Sequence, residues 1–366
     1  MNRRFFLKAS AALPAAAAAG AASVRGALAA SPEGGQWRSF EATYRVEVQK
    51  PMGISKVWLP LPLLEETDYF RYLGSSWNAE GGRARIYVQP PYGAGMVHAE
   101  FPDGMKNPSL MLTSRFATRD RAVDLSKPGT AIPEDSAVLN LALKATDLIP
   151  TDGIVRETAL DITKGARGDL EKARAIYEWV VDNTFRDPKT RGCGWGDIKS
   201  MLETRNFGGK CGDLNAMFVG LARSVGIPAR DQYGIRVAPS ALGYKSLGAN
   251  SEMISKAQHC RAEFYLAGYG WVPVDPGDVR KVVLEEPPGN LPLSHPKVEA
   301  ARKRLFGSYE MNWLMYNHAH DIALPNSIGP KIPYLMYPNG ETGSERLDQL
   351  EPDPFKYVIT WREVKA

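Results

Sequence analysis

Two hydrophobic rhythms divide the chain. Over residues 37–125 the dominant period is two. Residues 41–49 set Tyr44, Val46 and Val48 against Arg45 and Glu47, which is the alternation of a half-buried strand. The run Lys56-Val57-Trp58-Leu59-Pro60-Leu61-Pro62 reads as a second strand closed by prolines, and residues 83–88 and 110–116 as further strands. Turns rich in Gly, Pro and Asn separate them. This predicts a β-rich N-terminal domain over residues 37–125, an antiparallel sandwich or barrel without chemistry of its own.

After Asp124 the rhythm changes. Lys127-Pro128-Gly129 and Ile132-Pro133 read as a linker. A helix is predicted from Asp169, with Leu170, Ala173, Ile176, Tyr177 and Val180 on one face. A clearer one runs from Cys211 to Val225. Leu214, Met217, Phe218, Leu221, Ala222 and Val225 share a face at the helical period, Gly226 follows as a terminating glycine, and Pro228 lies beyond. Strand patterning returns at 230–237, 259–266 and 271–274. Helices and strands together predict an α+β domain over residues 140–290. Residues 291–366, rich in Trp and Tyr and ending in the strand-like 357–361, are expected to pack on that core as a C-terminal extension.

Composition changes the picture at one point, the amino terminus. Residues 1–29 open Asn2-Arg3-Arg4-Phe5-Phe6-Leu7-Lys8, continue through an alanine-rich stretch and close on Ala27-Leu28-Ala29, the layout of a signal peptide of the twin-arginine kind. Pro14, Gly20 and the many alanines make it a poor membrane span. The expected location is therefore periplasmic or otherwise exported. The formal charge of +4 over 366 residues includes Arg3, Arg4, Lys8 and Arg25, with no acids in 1–29; +4 minus 4 leaves zero for the rest. The mature chain thus offers no electrostatic case for nucleic acid or an anionic membrane as partner. Three cysteines, Cys193, Cys211 and Cys260, are too few for a disulfide scaffold. His318 and His320 have no third ligand at zinc spacing, so no metal or other cofactor is expected.

The chemistry gathers around Cys211. In Asn206-Phe207-Gly208-Gly209-Lys210-Cys211-Gly212-Asp213 the glycines turn the chain tightly and the thiol starts a helix, where the positive end of the dipole favours thiolate. Backbone N–H groups there can hold an oxyanion. His259 alternates with Arg261 and Glu263 on the polar face of a half-buried strand, opposite Cys260, Ala262 and Phe264. Asp275, in Val274-Asp275-Pro276, follows a hairpin turn at Ala267-Gly268-Tyr269-Gly270. A four-residue loop would pair Ala262 with Asp275 and turn the carboxylate to the wrong face; an odd-numbered loop or a bulge would turn it toward His259.

Gly209-Lys210-Cys211-Gly212-Asp213, Leu221-Ala222-Arg223-Ser224-Val225-Gly226-Ile227-Pro228-Ala229-Arg230, His259 and Val274-Asp275-Pro276, in that order, resemble the bacterial transglutaminase-like superfamily. Trp58-Leu59-Pro60-Leu61-Pro62 is similar to the β domain often found ahead of it. The resemblance implies a papain/transglutaminase-like core, a Cys211–His259–Asp275 triad, and acyl transfer or hydrolysis of a peptide, protein or peptidoglycan-type amide through a thioester. It also implies Trp195 as a candidate oxyanion donor. Two other classes compete: an exported binding or scaffold module with an unused triad, and a metal-dependent hydrolase built from His and Asp. Cys193 and Cys260 are expected to lie near the site as buried free thiols, with a disulfide between them as the alternative.

Overall fold

The computed structural model describes residues 35–127 and 129–365, so the predicted signal peptide lies outside the described residues. The N-terminal domain is a sandwich of two antiparallel sheets. One contains β1 (Arg38–Glu47), β3 (Phe70–Asn78) and β6 (Ser109–Thr118); the other contains β2 (Ser55–Pro60), β4 (Arg83–Gln89) and β5 (Ala94–Phe101). Phe40, Tyr44 and Phe116 of the first meet Val57, Leu59 and Phe101 of the second in one core.

Two of these strands carry no alternation in the sequence. β3 is interrupted by a bulge at Tyr72/Gly74, with Gly74 at φ +113. β5 is buried on both faces nearly throughout, so no polar side appears.

The second domain is α+β, as expected. Its sheet runs in the order β9 (Gly270–Val274), β8 (Gln258–Leu266), β7 (Ala229–Arg236), β10 (Trp313–Asn317), all antiparallel. The helices α1 (Gly153–Ile162), α2 (Gly168–Asn183), α3 (Ile198–Thr204), α4 (Cys211–Ser224) and α5 (Pro276–Glu285) pack with it. Phe218 and Leu221 of α4 meet Phe264 of β8 and Ile176 of α2 in one core.

Residues 291–366 do more than pack on this core. They supply β10 to the α+β sheet, β11 (Asn339–Thr342) to the edge of β2, and β12 (Tyr357–Val364) to the edge of β1. The last strand therefore pairs with the first.

The β8–β9 hairpin resolves the question of register. Leu266 pairs with Gly270 and Ala262 with Val274, leaving a three-residue loop at 267–269. The turn is closed by Tyr269 N–H donating to Leu266 C=O at 2.9 Å, with Gly268 at φ +81. Gly270 belongs to the strand rather than to the loop. That one-residue shift brings Asp275 opposite Arg261, on the face of His259.

Candidate active site

Cys211 is the first residue of α4, and the segment before it is held by one carboxylate. Asp213 Oδ2 accepts from Lys210 N–H at 2.9 Å, and Oδ1 accepts from Gly196 N–H at 2.9 Å. Burial pushes this carboxyl up to about 6, against the hydrogen bonds it accepts. Gly194, at φ +85, lies so close that an added Cβ would stand 1.7 Å from Asp213 Oδ2. Gly212 N–H donates to Cys193 C=O at 2.7 Å, which ties the 192–196 loop to the first turn of α4. Every residue of α4 is buried. Its apolar stripe is the side the sequence reveals, but Asn215, Arg223 and Ser224 are buried too, each hydrogen-bonded.

His259 is the second residue of β8 and pairs with Gly234 of β7. The polar face of this strand was expected to be half-buried; it is covered. Glu263 lies between Arg121 at 2.9 Å and Arg230 at 2.7 Å, and Arg261 donates to Glu310 C=O at 2.9 Å. His259 Nε2 lies 2.8 Å from Asp275 Oδ2 and 3.4 Å from Asp278 Oδ2. The other oxygen of Asp275 caps α5 by accepting from Asp278 N–H at 2.9 Å, and it also accepts from Asn215 Nδ2 at 3.2 Å. Asn215 in turn donates to Cys260 C=O at 2.8 Å, so one amide joins α4, β8 and the start of α5. Arg236 donates to Asp278 Oδ1 at 2.5 Å. Gly277 lets α5 approach: a Cβ there would be 3.2 Å from Cys211 Cα.

The electrostatics favour an ion pair. The Cys193 thiol first, then the Cys260 thiol and the His259 ring, hold the Cys211 thiol well below its ordinary range, against burial. Burial and Arg236 oppose charge on His259, but Asp278, Asp275 and Cys211 outweigh them and raise it to about 9. Burial raises Asp278, but Arg236 and His259 together overcome it and keep that carboxylate well below its ordinary range.

Cys211 and His259 line one cavity of about 540 Å³, together with Cys193, Gln258 and Tyr337. Trp195 does not line it. Its side chain is 48% exposed and borders a separate small cavity beside Gly212, Ala216 and Tyr334. The structure thus brings Cys211, His259 and Asp275 to one place and leaves Trp195 outside it. Sequence reasoning missed Asp213, Asn215, Asp278 and Arg236. Two of them had a faint signal: Asn215 is one helical turn after Cys211, and Asp278 is one turn after Asp275. His318 and His320 lie elsewhere, near Asp231.

Fold and site define a cysteine-centred α+β protein with a transglutaminase-like core. The transglutaminase-like superfamily matches residues 156–276, a span that includes Cys211, His259 and Asp275. An uncharacterized protein of Haemophilus influenzae is 38% identical over 335 residues, which is 87% of this chain and 89% of that one. The chain belongs to one family with that protein, and its residues 156–276 carry a transglutaminase-like domain. A crystal structure from Cytophaga hutchinsonii, described as a candidate cysteine protease, has the same fold: TM-score 0.57, 13% identity, over 91% of this chain and 93% of that one. The periplasmic domain of TgpA from Pseudomonas aeruginosa aligns at TM-score 0.33 and 14% identity, over 64% of this chain and 90% of that one.

Proposed function

We propose that the protein is an exported cysteine enzyme that transfers or hydrolyses the acyl part of a peptide-type amide through a thioester on Cys211. The observation that carries this reading is the 2.8 Å contact between His259 Nε2 and Asp275 Oδ2 beside a cavity that His259 shares with Cys211. With Nε2 engaged, Nδ1 is the ring nitrogen left to exchange a proton with the thiol. The Cys211 thiolate attacks the amide carbonyl, forming a C–S bond and an oxyanion. Gly212 N–H is already committed to Cys193 C=O, whereas Cys211 N–H has no partner among the described residues and is free to donate to that oxyanion. The His259 imidazolium then protonates the leaving amine, and water or a second amine resolves the thioester. Asp275 holds the ring in the tautomer this requires.

The cavity wall suggests a negatively charged substrate. Arg186, Lys210, Arg236, Lys256 and Lys281 line it, and no carboxylate does among the described residues. Arg236 is spent on Asp278 and Lys256 reaches Asp353 at 3.3 Å, but Arg186 and Lys281 share the single Glu285, and Lys210 has no acidic partner among the described residues. The surplus cations sit next to Cys211, where a carboxylate near the scissile amide would meet them.

The test is amine release from a panel of peptide amides with and without a neighbouring carboxylate. Wild type is expected to prefer the acidic members, and Cys211→Ser to lose at least about 10³-fold in kcat. Activity that survives in Cys211→Ser, or that a chelator removes, would overturn the reading. The metal-hydrolase alternative already suits the site poorly, because Arg236 and the nearby Arg261 supply the positive charge that Asp275 and Asp278 would offer an ion. Export is inferred from residues 1–29 alone. Replacing Arg3 and Arg4 by lysine is expected to abolish it; undiminished export of that variant would count against the twin-arginine route.

A further inference from the structure

The sequence leaves Cys193 and Cys260 as partners only for each other. In the structure all three cysteines are free, and the sulfurs of Cys193, Cys211 and Cys260 lie within 4.8 Å of one another. Their surroundings differ. Cys193 and Cys211 both line the cavity; Cys260 does not, is fully buried on β8, and directs its thiol to Met336 Sδ at 3.8 Å. Cys193 is carried on a loop whose flanking glycines sit at φ +54 and +85, and its carbonyl is anchored to Gly212 N–H at 2.7 Å. A thiol flanked by glycines in conformations that other residues rarely adopt is thereby kept beside the nucleophile, on the side of the cavity.

We propose that Cys193 is the resolving thiol of a peroxide-modification site at Cys211, so that oxidation of the nucleophile ends in a reversible Cys193–Cys211 disulfide. The inference rests on Cys211 being a reactive thiolate, as in the reading above, but not on which amide the enzyme uses. In the first step the Cys211 thiolate attacks hydrogen peroxide. The S–O bond forms as the O–O bond breaks, sulfur is oxidised by two electrons, and the departing hydroxide takes a proton from the His259 imidazolium and leaves as water. In the second, the Cys193 sulfur attacks Cys211 Sγ. The S–S bond forms, the S–O bond breaks, and the Cys193 proton departs with the hydroxide as a second water. The sulfurs must close to about 2.05 Å, a movement that the glycines on either side of Cys193 permit.

The chemistry of the cluster supports this order. The neighbouring Cys211 thiolate, more than burial, raises Cys193 far above an ordinary thiol, and Cys193 Sγ donates to Gln258 C=O at 3.3 Å, so the pair starts as one thiolate and one thiol. Conversion of Cys211 to a neutral sulfenic acid removes that charge and frees Cys193 to ionise. Cys260 lacks a route to solvent and stays a thiol.

The experiment is mass spectrometry of the reduced, full-length mature protein after equimolar hydrogen peroxide, with dimedone present to trap sulfenic acid. Wild type is expected to lose two hydrogens, to yield a crosslinked Cys193–Cys211 peptide without dimedone adduct, and to return fully on treatment with dithiothreitol. Cys193→Ser is expected to carry dimedone on Cys211 and, without the trap and with a second equivalent of hydrogen peroxide, to proceed to sulfinic acid that dithiothreitol does not reverse. Cys260→Ser should still form the Cys193–Cys211 crosslink and return on treatment with dithiothreitol. A dimedone adduct on wild-type Cys211 as abundant as in Cys193→Ser, or a Cys193–Cys260 crosslink, would overturn the proposal while leaving the nucleophile intact. A Cys211 that peroxide does not touch would overturn both. The wild-type crosslink is decisive by itself, so the conclusion does not depend on how well a variant folds.

Discussion

Asp275 divides its two oxygens between two tasks. Oδ2 takes His259 Nε2, and Oδ1 caps α5 through Asp278 N–H. Asn in place of Asp keeps the cap, because Asn is as good an N-cap, but its amide cannot serve the imidazolium as a carboxylate does. Asp275→Asn is therefore expected to cut kcat by about 10²–10⁴-fold with little change in KM. Its melting temperature should stay within a few degrees of wild type. Asp275→Ala should lose a further ~1 kcal/mol of stability with the cap. An Asp275→Asn enzyme at full rate would remove Asp275 from the mechanism. At this scale the sequence was informative wherever the signal was local: Cys211 after Gly-Gly at a helix start, His259 by alternation, Asp275 beside a turn. It also placed Cys193 and Cys260 near the site as free thiols, but it was silent about the roles of Asp213 and Arg236, because each depends on contacts between distant elements. The weakest residue reading, Trp195, came from resemblance with no local signal beneath it.

Among the elements, α4 shows how a buried helix hides half of itself. Its apolar stripe was legible, while its opposite face carries small and polar residues that look solvated in sequence but are buried and bonded. The hairpin at 267–269 was legible as a turn, and the choice between three and four residues decided whether Asp275 faced His259. Glycine alone could not settle that choice, since both Gly268 and Gly270 have positive φ. The loops around α4 allow a paired test. Gly194 and Gly226 both sit at φ +85, but a Cβ on Gly226 meets nothing within 4 Å whereas one on Gly194 meets Asp213 Oδ2 at 1.7 Å. Gly226→Ala should cost only the backbone term of about 1–2 kcal/mol in urea unfolding, with activity unchanged. Gly194→Ala should cost clearly more and reduce kcat as well, because it displaces the carboxylate that holds Lys210 N–H ahead of Cys211. Equal effects of the two substitutions would mean that the Asp213 clamp does not position the nucleophile.

At the scale of the molecule, the chain closes on itself. β12 pairs with β1, β11 with β2, and β10 completes the sheet that carries His259. The first two pairings join residues hundreds of positions apart and the third joins Tyr233 to Asn317, and strand partners so distant leave no periodic trace in either segment. The strand-like 357–361 was therefore visible as a strand but not as the partner of the first one. Tyr337 and Tyr357, both from the C-terminal segment, line the cavity with Cys211, so the far end of the chain helps to enclose the nucleophile. In the proposed mechanism this assembly yields a thiolate at Cys211 paired with an imidazolium at His259. The sign of its pH dependence follows from the two shifts. Cys211 is lowered, so its thiolate persists to lower pH than that of an ordinary thiol; His259 is raised to about 9, so its proton is lost only as pH rises through that value. An unperturbed thiol, with a pKa near ~8.5, would instead become reactive only as pH rises through that range. The most direct measurement is the rate of iodoacetamide alkylation at Cys211, located by mass spectrometry, from mildly acidic to alkaline pH. A rate already near its plateau below pH ~7, with Cys193 and Cys260 lagging far behind, is the expected result. A Cys211 that alkylates only as an ordinary thiol, or no faster than Cys193, would contradict it.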